Sequence, residues 1–389
     1  MFDFTYTEEQ EMLKTQVRDF AKKELEPVFW EYDKEEKWCG EIWAKLAELG
    51  LVCPTIPEEY GGGGMGYVEQ VIISEELCAV FPGIGLILIT HGNLCADNLG
   101  HNANESQKRK YLPPLCSGEA VGCLALTDPK SGSDAIGAME ATAIKKDNYY
   151  ILNGQKAFIS NAWVGTTFLT YAKTAPEKGA KGVSAFIVER SSPGFEVGKA
   201  YDKLGSRALL SCPLYFTDCK VPAENLIRNE GEGAYIMMSG LNGERASLAA
   251  MAIGSARGAF ENTLNYAKER VVFGKPIIKH QMIAEKFADM YMEMEAARLL
   301  ALKGAWQVDH FGLGKEQNLI CSSSKLYAAE MSVRVGLKCM DIYGGYGYVM
   351  DNVPLRFFRD AYILIPGAGT PEIQRLIMAE GLEAGYKSP

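Results

Sequence analysis

Histidine is scarce in this sequence of 389 residues. The four present, His91, His101, His280 and His310, fall in no His-Glu-x-x-His or other ligand spacing, so a metal site has no support. Ten cysteines occur without a single Cys-x-x-Cys pair; scattered through apolar runs, they read as reduced core thiols rather than a disulfide framework. No window offers 18 uncharged apolar residues, which argues against a membrane span. No basic run occurs either. Lys and Arg total 40 against 49 Asp and Glu, for a net charge of −9, so nucleic acid and anionic membrane surfaces are not expected partners. The opening MFDFTYTEEQEMLKTQVRDF lacks the basic and apolar regions of a secretory peptide. A cytoplasmic protein is expected.

The remaining composition is globular. Hydrophobic residues make up 47% and charged ones 23%, too apolar for a disordered chain, and the length suits two or three domains. Helical spacing dominates 1–119, beginning with Thr7 as cap of a helix running to Leu25. Within 120–230 the pattern turns to short alternating runs rich in β-branched and aromatic residues: GCLALTDP, NYYILNGQKAFISNA, TTFLTYAKT, VSAFIVER and PLYFTDCKVP. Turn spacing predicts about six to eight strands. From 231 to 389 the helical period returns, with Ala, Ser and Gly spaced for close helix packing. The expected fold class is α+β: an N-terminal helical domain, a middle antiparallel β domain and a C-terminal four-helix bundle.

Five segments carry chemistry. Leu126-Thr127-Asp128-Pro129-Lys130-Ser131-Gly132-Ser133-Asp134 ends the first strand in a polar loop, and Phe158-Ile159-Ser160-Asn161-Ala162 ends another. Arg270-Val271-Val272-Phe273-Gly274-Lys275-Pro276 is followed by His280-Gln281. Asp341-Ile342-Tyr343-Gly344-Gly345 comes next, and Arg359-Asp360-Ala361 precedes Gly367-Ala368-Gly369-Thr370-Pro371-Glu372. In this order they resemble the acyl-CoA dehydrogenase family, flavoenzymes that oxidise an acyl-CoA thioester between its α and β carbons. The resemblance spans essentially the whole chain.

It implies FAD as cofactor, with Leu126, Thr127 and Ser133 in the flavin and thioester loop and Phe158 and Ser160 against the ring. Arg270, Phe273, Gln281, Asp341, Gly344 and Gly345 would hold the rest of the cofactor across a subunit contact, with Thr370 and Glu372 completing the set. Asp341 stands where the family commonly has Gln. An Arg suits a diphosphate because its planar fork pairs with two oxygens. A homotetramer or dimer and an electron-transferring flavoprotein as partner are implied as well.

The family's usual catalytic base is missing. Matching RDA, GT and IQR without a gap puts Ala368 where most members carry Glu. A minority, including isovaleryl-CoA and long-chain acyl-CoA dehydrogenases, carries the Glu on an earlier helix directly before an Arg, and this sequence has Glu244-Arg245 there. Glu244 is therefore expected to abstract the α-proton. Ser133, Arg245, Ala368 and Gly369 are expected at the substrate, the Ala368 N–H polarising the thioester carbonyl. A small residue at 368 suits a branched or ring-shaped acyl group, isovaleryl-CoA-like or cyclohexanecarboxyl-CoA-like. Two alternatives stay open: an alicyclic enzyme drawing its base from His91 or Asp97, and a non-catalytic flavin- or CoA-binding protein. An acyl-CoA oxidase is disfavoured by the short chain.

Overall fold

The structure, a computed structural model, describes residues 5–385. Seven helices come first: α1 (Glu8–Phe20), α2 (Phe29–Glu35), α3 (Gly40–Glu48), α4 (Tyr67–Cys78), α5 (Pro82–Ile89), α6 (Asn98–Asn102) and α7 (Glu105–Cys116). The expected first helix starts where its cap dictates. The Thr7 hydroxyl accepts the Gln10 N–H at 3.2 Å, and the Gln10 side chain accepts the Thr7 N–H at 3.1 Å, a reciprocal box that satisfies two otherwise orphaned donors. Ala21–Leu25 extends α1 as a π-helical turn, and a second such turn, Thr90–Asp97, joins α5 to α6.

An eight-stranded sheet follows, made of β1 (Gly122–Ala125), β2 (Thr142–Lys146), β3 (Tyr149–Ile159), β4 (Thr167–Lys173), β5 (Val183–Glu189), β6 (Phe195–Val197), β7 (Cys212–Pro222) and β8 (Leu226–Ile227). Its order is β6-β7-β3-β2-β4-β5-β8, with β1 attached to β4. Most neighbours are antiparallel, as expected, but β1 lies parallel to β4 and β2 meets β4 through one parallel pair. The alternation reflects burial: Tyr150 and Leu152 point inward on β3, and Leu214, Phe216, Cys219 and Val221 do so on β7. One hydrophobic cluster joins these strands to the N-terminal helices.

The C-terminal part consists of three long helices, α8 (Gly233–Glu269), α9 (Gln281–Phe311) and α10 (Asn318–Tyr343), with α11 (Val353–Tyr362) against α8 and α10 and α12 (Pro371–Glu383) against α10. No helix among the described residues is long and apolar enough to cross a membrane. The small residues of α8 have a direct packing role. A Cβ added at Gly254 would sit 2.4 Å from the Glu75 carbonyl oxygen and one at Gly258 2.2 Å from that of Ala79, so only glycine lets α8 lie this close to α4 and the residue after it. Ion pairs to two buried glutamates of α4 gather its neighbours: Arg257 of α8 and Arg18 of α1 to Glu76 at 2.6 and 2.9 Å, and Arg298 of α9 to Glu75 at 2.9 Å. The ten cysteines are buried free thiols.

Candidate active site

Glu244 lies in α8, buried, with 6% of its surface exposed. Its carboxylate accepts no hydrogen bond from the described residues, an unusual state for a buried carboxylate. Burial pushes its pKa up to about 7, and the charges of Arg245 and Lys325 pull part of the way back. Arg245 is also enclosed rather than on the surface: its Nη1 donates to Asn242 Oδ1 at 3.1 Å and Asn318 Oδ1 at 3.4 Å, while its Nε has no partner.

Lys325 of α10, which the sequence reading did not single out, completes this cluster. It is 1% exposed, and its ammonium donates to the carbonyls of Ile365 (3.2 Å) and Gly369 (2.8 Å) in the turn between α11 and α12. Burial lowers its pKa to about 8, against the opposing pull of Glu244. From α12, fully buried Gln374 donates to the Ala368 carbonyl at 2.8 Å and, more weakly, to Gly369 at 3.3 Å. Ala368 sits in the left-handed region at φ 53°, followed by Gly369 at φ 93°. For a residue with a Cβ that conformation costs about 1–2 kcal/mol, so neighbouring contacts must impose it. The Ala368 N–H donates to no acceptor among the described residues. Thr370 caps α12 by accepting the Ile373 N–H, and Glu372 lies exposed in its first turn.

A second group forms in the sheet. Asp128 and Lys156 make an ion pair of 2.5 Å in which neither side chain is exposed. The same ammonium donates to the Leu126 carbonyl at 2.9 Å, and the Ala157 N–H donates to the Thr127 carbonyl at 2.8 Å. The loop carrying Leu126 and Thr127 is thus tied to β3 just before Phe158. Asp128, read from the sequence as part of a polar cofactor loop, is a buried anchor whose other oxygen accepts the N–H groups of Glu140 and Ala141. Phe158 is 67% exposed at φ 59°, its ring 5.0 Å from that of Tyr201. Ser160 is half-buried; Asn161, at φ 62°, donates to the Ile87 carbonyl and leaves its own Oδ1 buried without a partner. Ser133 is exposed on the loop, and the buried Ser131 hydroxyl has no partner.

The third group lies on the surface. Between β9 (Val271–Val272) and β10 (Lys275–Pro276) a hairpin turn holds Phe273 at φ 50° with 93% of its surface exposed. Arg270 precedes this hairpin, exposed and without an ion pair among the described residues, and Gln281 opens α9. Asp341 pairs with Lys286 of α9 at 3.2 Å. Gly344 has φ 61°, and a Cβ added at Gly344 or Gly345 would meet nothing within 4 Å.

His91 and Asp97 are committed elsewhere. His91 is fully buried, its Nδ1 accepting the Gly122 N–H and its Nε2 facing the Leu115 carbonyl and the Cys53 thiol; burial lowers its pKa to about 4. Asp97 accepts from Tyr67 (2.5 Å) and Thr55 (3.1 Å) and lies 3.4 Å from His101.

The donor set suits a flavin dinucleotide. An exposed aromatic held in strained backbone offers a face to a planar ring, unpartnered polar atoms stand on the loop at Ser131 and just past the end of β3 at Asn161, and an arginine without an ion pair among the described residues, with open glycines, suits a diphosphate. Family models agree: the N-terminal, middle and C-terminal domains of acyl-CoA dehydrogenase match residues 7–119, 123–219 and 231–383. An acyl-CoA dehydrogenase of Bacillus subtilis is 42% identical, covering 97% of this chain and 99% of its own length. A mitochondrial isovaleryl-CoA dehydrogenase of Pongo abelii is 40% identical, covering 98% and 90%. The structure of butyryl-CoA dehydrogenase from Megasphaera elsdenii superposes with a TM-score of 0.94 at 35% identity, over 98% of this chain and all of that one. FAD complexes are among the solved structures sharing this fold. The chain belongs to the acyl-CoA dehydrogenase family and is an FAD-dependent oxidoreductase.

Proposed function

We propose that this enzyme oxidises a branched or alicyclic short- to medium-chain acyl-CoA, isovaleryl-CoA-like or cyclohexanecarboxyl-CoA-like, with Glu244 as the base that removes the α-proton. The observation that carries the reading is the state of Glu244: enclosed, without a hydrogen-bond donor, and shifted to about 7. A carboxylate so placed has free lone pairs for a carbon-bound proton, and a base poised near neutrality balances ionisation against proton affinity. FAD supplies the acceptor for the hydride that leaves the β-carbon. The unengaged N–H of Ala368 is the candidate donor to the thioester oxygen as enolate charge develops, a contribution of a few kcal/mol. Arg245, buried next to the base in sequence and held by Asn242 and Asn318, favours its ionised form through its charge. Leu126, Thr127, Phe158 and Ser160 would hold the flavin ring, with Ser133 reaching cofactor and substrate. Arg270, Phe273, Gln281, Asp341, Gly344, Gly345, Thr370 and Glu372 would hold the remainder.

The branched preference rests on the missing side chain at Ala368, which leaves room beside the reacting carbons, and on the name of the isovaleryl-CoA relative. A homotetramer reducing an electron-transferring flavoprotein fits the exposed hairpin of Phe273, an apolar tip suited to a subunit contact. The test is anaerobic titration of the bound flavin with linear, 3-branched and cyclohexane-type acyl-CoAs, using wild type and Glu244→Gln. Bleaching is expected with the branched or cyclic thioesters in wild type alone. Equal bleaching rates in Glu244→Gln would end the base assignment, and equal rates for all thioesters would end the specificity.

A further inference from the structure

We propose that Lys325 is a positioning residue for the reaction, pinning the turn that carries Ala368 and holding a positive charge toward Glu244 from the opposite helix. The inference rests on Glu244 being the base. It starts from an anomaly: a lysine with 1% of its surface exposed, in a helix otherwise lined here by Cys321, Ser322, Ser324 and Ala328, and with no carboxylate in hydrogen-bonded contact. A lysine kept only for packing would extend its ammonium to water. This one is turned inward and spends two donors on main-chain carbonyls, those of Ile365 and Gly369.

The turn explains the arrangement. Ala368 occupies a left-handed conformation that disfavours any residue with a Cβ, and nothing in its own side chain compensates. Lys325 holds the carbonyls at 365 and 369, and Gln374 holds the one at 368. The N–H at 368 belongs to the peptide joining 367 to 368, which these held carbonyls bracket on both sides, and it donates to no acceptor among the described residues. One ammonium therefore serves both halves of the site: it orients the donor for the thioester oxygen, and its charge favours the ionised base. The charged groups facing Glu244 are Arg245 of α8 and Lys325 of α10. Those acting on Lys325 are Glu244, Arg245 and Glu330, and Glu330 is itself engaged by Arg375 of α12 at 2.7 Å.

The experiment isolates proton abstraction from oxidation. A 3-thia-acyl-CoA carries sulfur at the β position, so no hydride can leave; the flavin-loaded enzyme exchanges only its α-protons with deuterated solvent, which NMR follows as a function of pH. Wild type is expected to show exchange rising to a plateau as Glu244 ionises. Lys325→Met moves the midpoint up by about one pH unit and lowers the plateau about tenfold, because an opposing charge and a donor restraint are lost together. Lys325→Arg, which keeps the charge, restores the midpoint. Lys325→Gln, which keeps an amide for the turn carbonyls, carries the same upward shift and serves if the Met variant does not fold. A wild-type midpoint and plateau in a folded, uncharged variant overturns the proposal while leaving the base reading intact. Exchange at the wild-type rate in Glu244→Gln overturns the base reading itself, whatever Lys325 does.

Discussion

Replacing Lys156 with Met is expected to loosen the cofactor and destabilise the sheet together, because one ammonium connects them. It lies 2.5 Å from Asp128 with neither group exposed, and it also donates to the Leu126 carbonyl at 2.9 Å. Removing it leaves the Asp128 carboxylate buried with only the N–H groups of Glu140 and Ala141. Removing one partner of a buried pair costs about 3–5 kcal/mol, largely the penalty on the charge that remains. The double variant Asp128→Asn/Lys156→Met removes both charges and is expected to regain at least about 2 kcal/mol of that loss. Denaturant unfolding of apoprotein measures this coupling. Cofactor affinity is read separately from the visible flavin absorbance retained after dilution. Leu126 and Phe158 lie on the two segments that Lys156 joins, so the single variant should bind FAD at least about tenfold more weakly, equivalent to about 1.4 kcal/mol. A single variant within about 1 kcal/mol of wild type that keeps its flavin would refute the idea that this pair couples loop to strand.

Other substitutions probe the rest of the site. Glu244 has a folded pKa of about 7 against an ordinary 4.5, so stability linked to its neutral form is full below 4.5 and is lost as pH rises through 7; Glu244→Gln should flatten that decline, and an unchanged profile in thermal or urea unfolding would mean the carboxylate is solvated. Adding Ala368→Glu to Glu244→Gln should restore flavin reduction by acyl-CoA to within about a hundredfold of wild type, since 368 already holds the backbone the family uses for its base and near-attack placement sets most of the rate; no recovery would count against a shared reaction centre. Phe158→Gly relieves a left-handed φ worth about 1 kcal/mol, so the apoprotein should unfold no earlier than wild type while releasing FAD more readily; tighter FAD binding would contradict the ring-facing role. Asp97→Asn should cost about 1–3 kcal/mol through the buried Tyr67 hydroxyl yet leave the rate per bound flavin unaltered, and loss of rate in a flavin-replete sample would revive the alicyclic alternative.

The helices and the longer strands are legible because burial writes a period into them: β3, β4, β5 and β7 alternate or run apolar across their length. The missed strands are short or exposed. β6 has three residues and β8 two, while β2 ends in exposed lysines, so neither pattern nor length distinguishes them from loops. The parallel pairing of β1 with β4 is a long-range choice that no local signal encodes. Among the candidate site residues, Glu244 stands out in the sequence through the alanine at 368 where the resemblance implies a glutamate. Lys156 and Lys325 do not, because lysine in a sequence reads as surface. The available clue is context: Lys156 falls within a strand, and Lys325 follows three serines on a helix face of small residues.

Lys325 bears on how one fold could take its base from either of two places, 244 or 368. A carboxylate at 368 would enter from a turn, and one at 244 enters from α8; the shared requirement is a site that tolerates one buried negative charge and no more. Two carboxylates in so enclosed a space would raise each other's pKa and leave one protonated. The positive charges facing Glu244 are supplied by Arg245 and Lys325, and Lys325 grips the turn through main-chain carbonyls. Backbone anchoring does not depend on which side chain residue 368 bears, so the turn is expected to keep its conformation whether 368 is alanine or glutamate. The expected signature of that independence is that Ala368→Gly, which relaxes the left-handed strain, leaves α-proton exchange within about twofold of wild type, whereas Lys325→Met does not. Comparable losses in both variants would mean that the side chain at 368, and not the grip on its backbone, sets the turn.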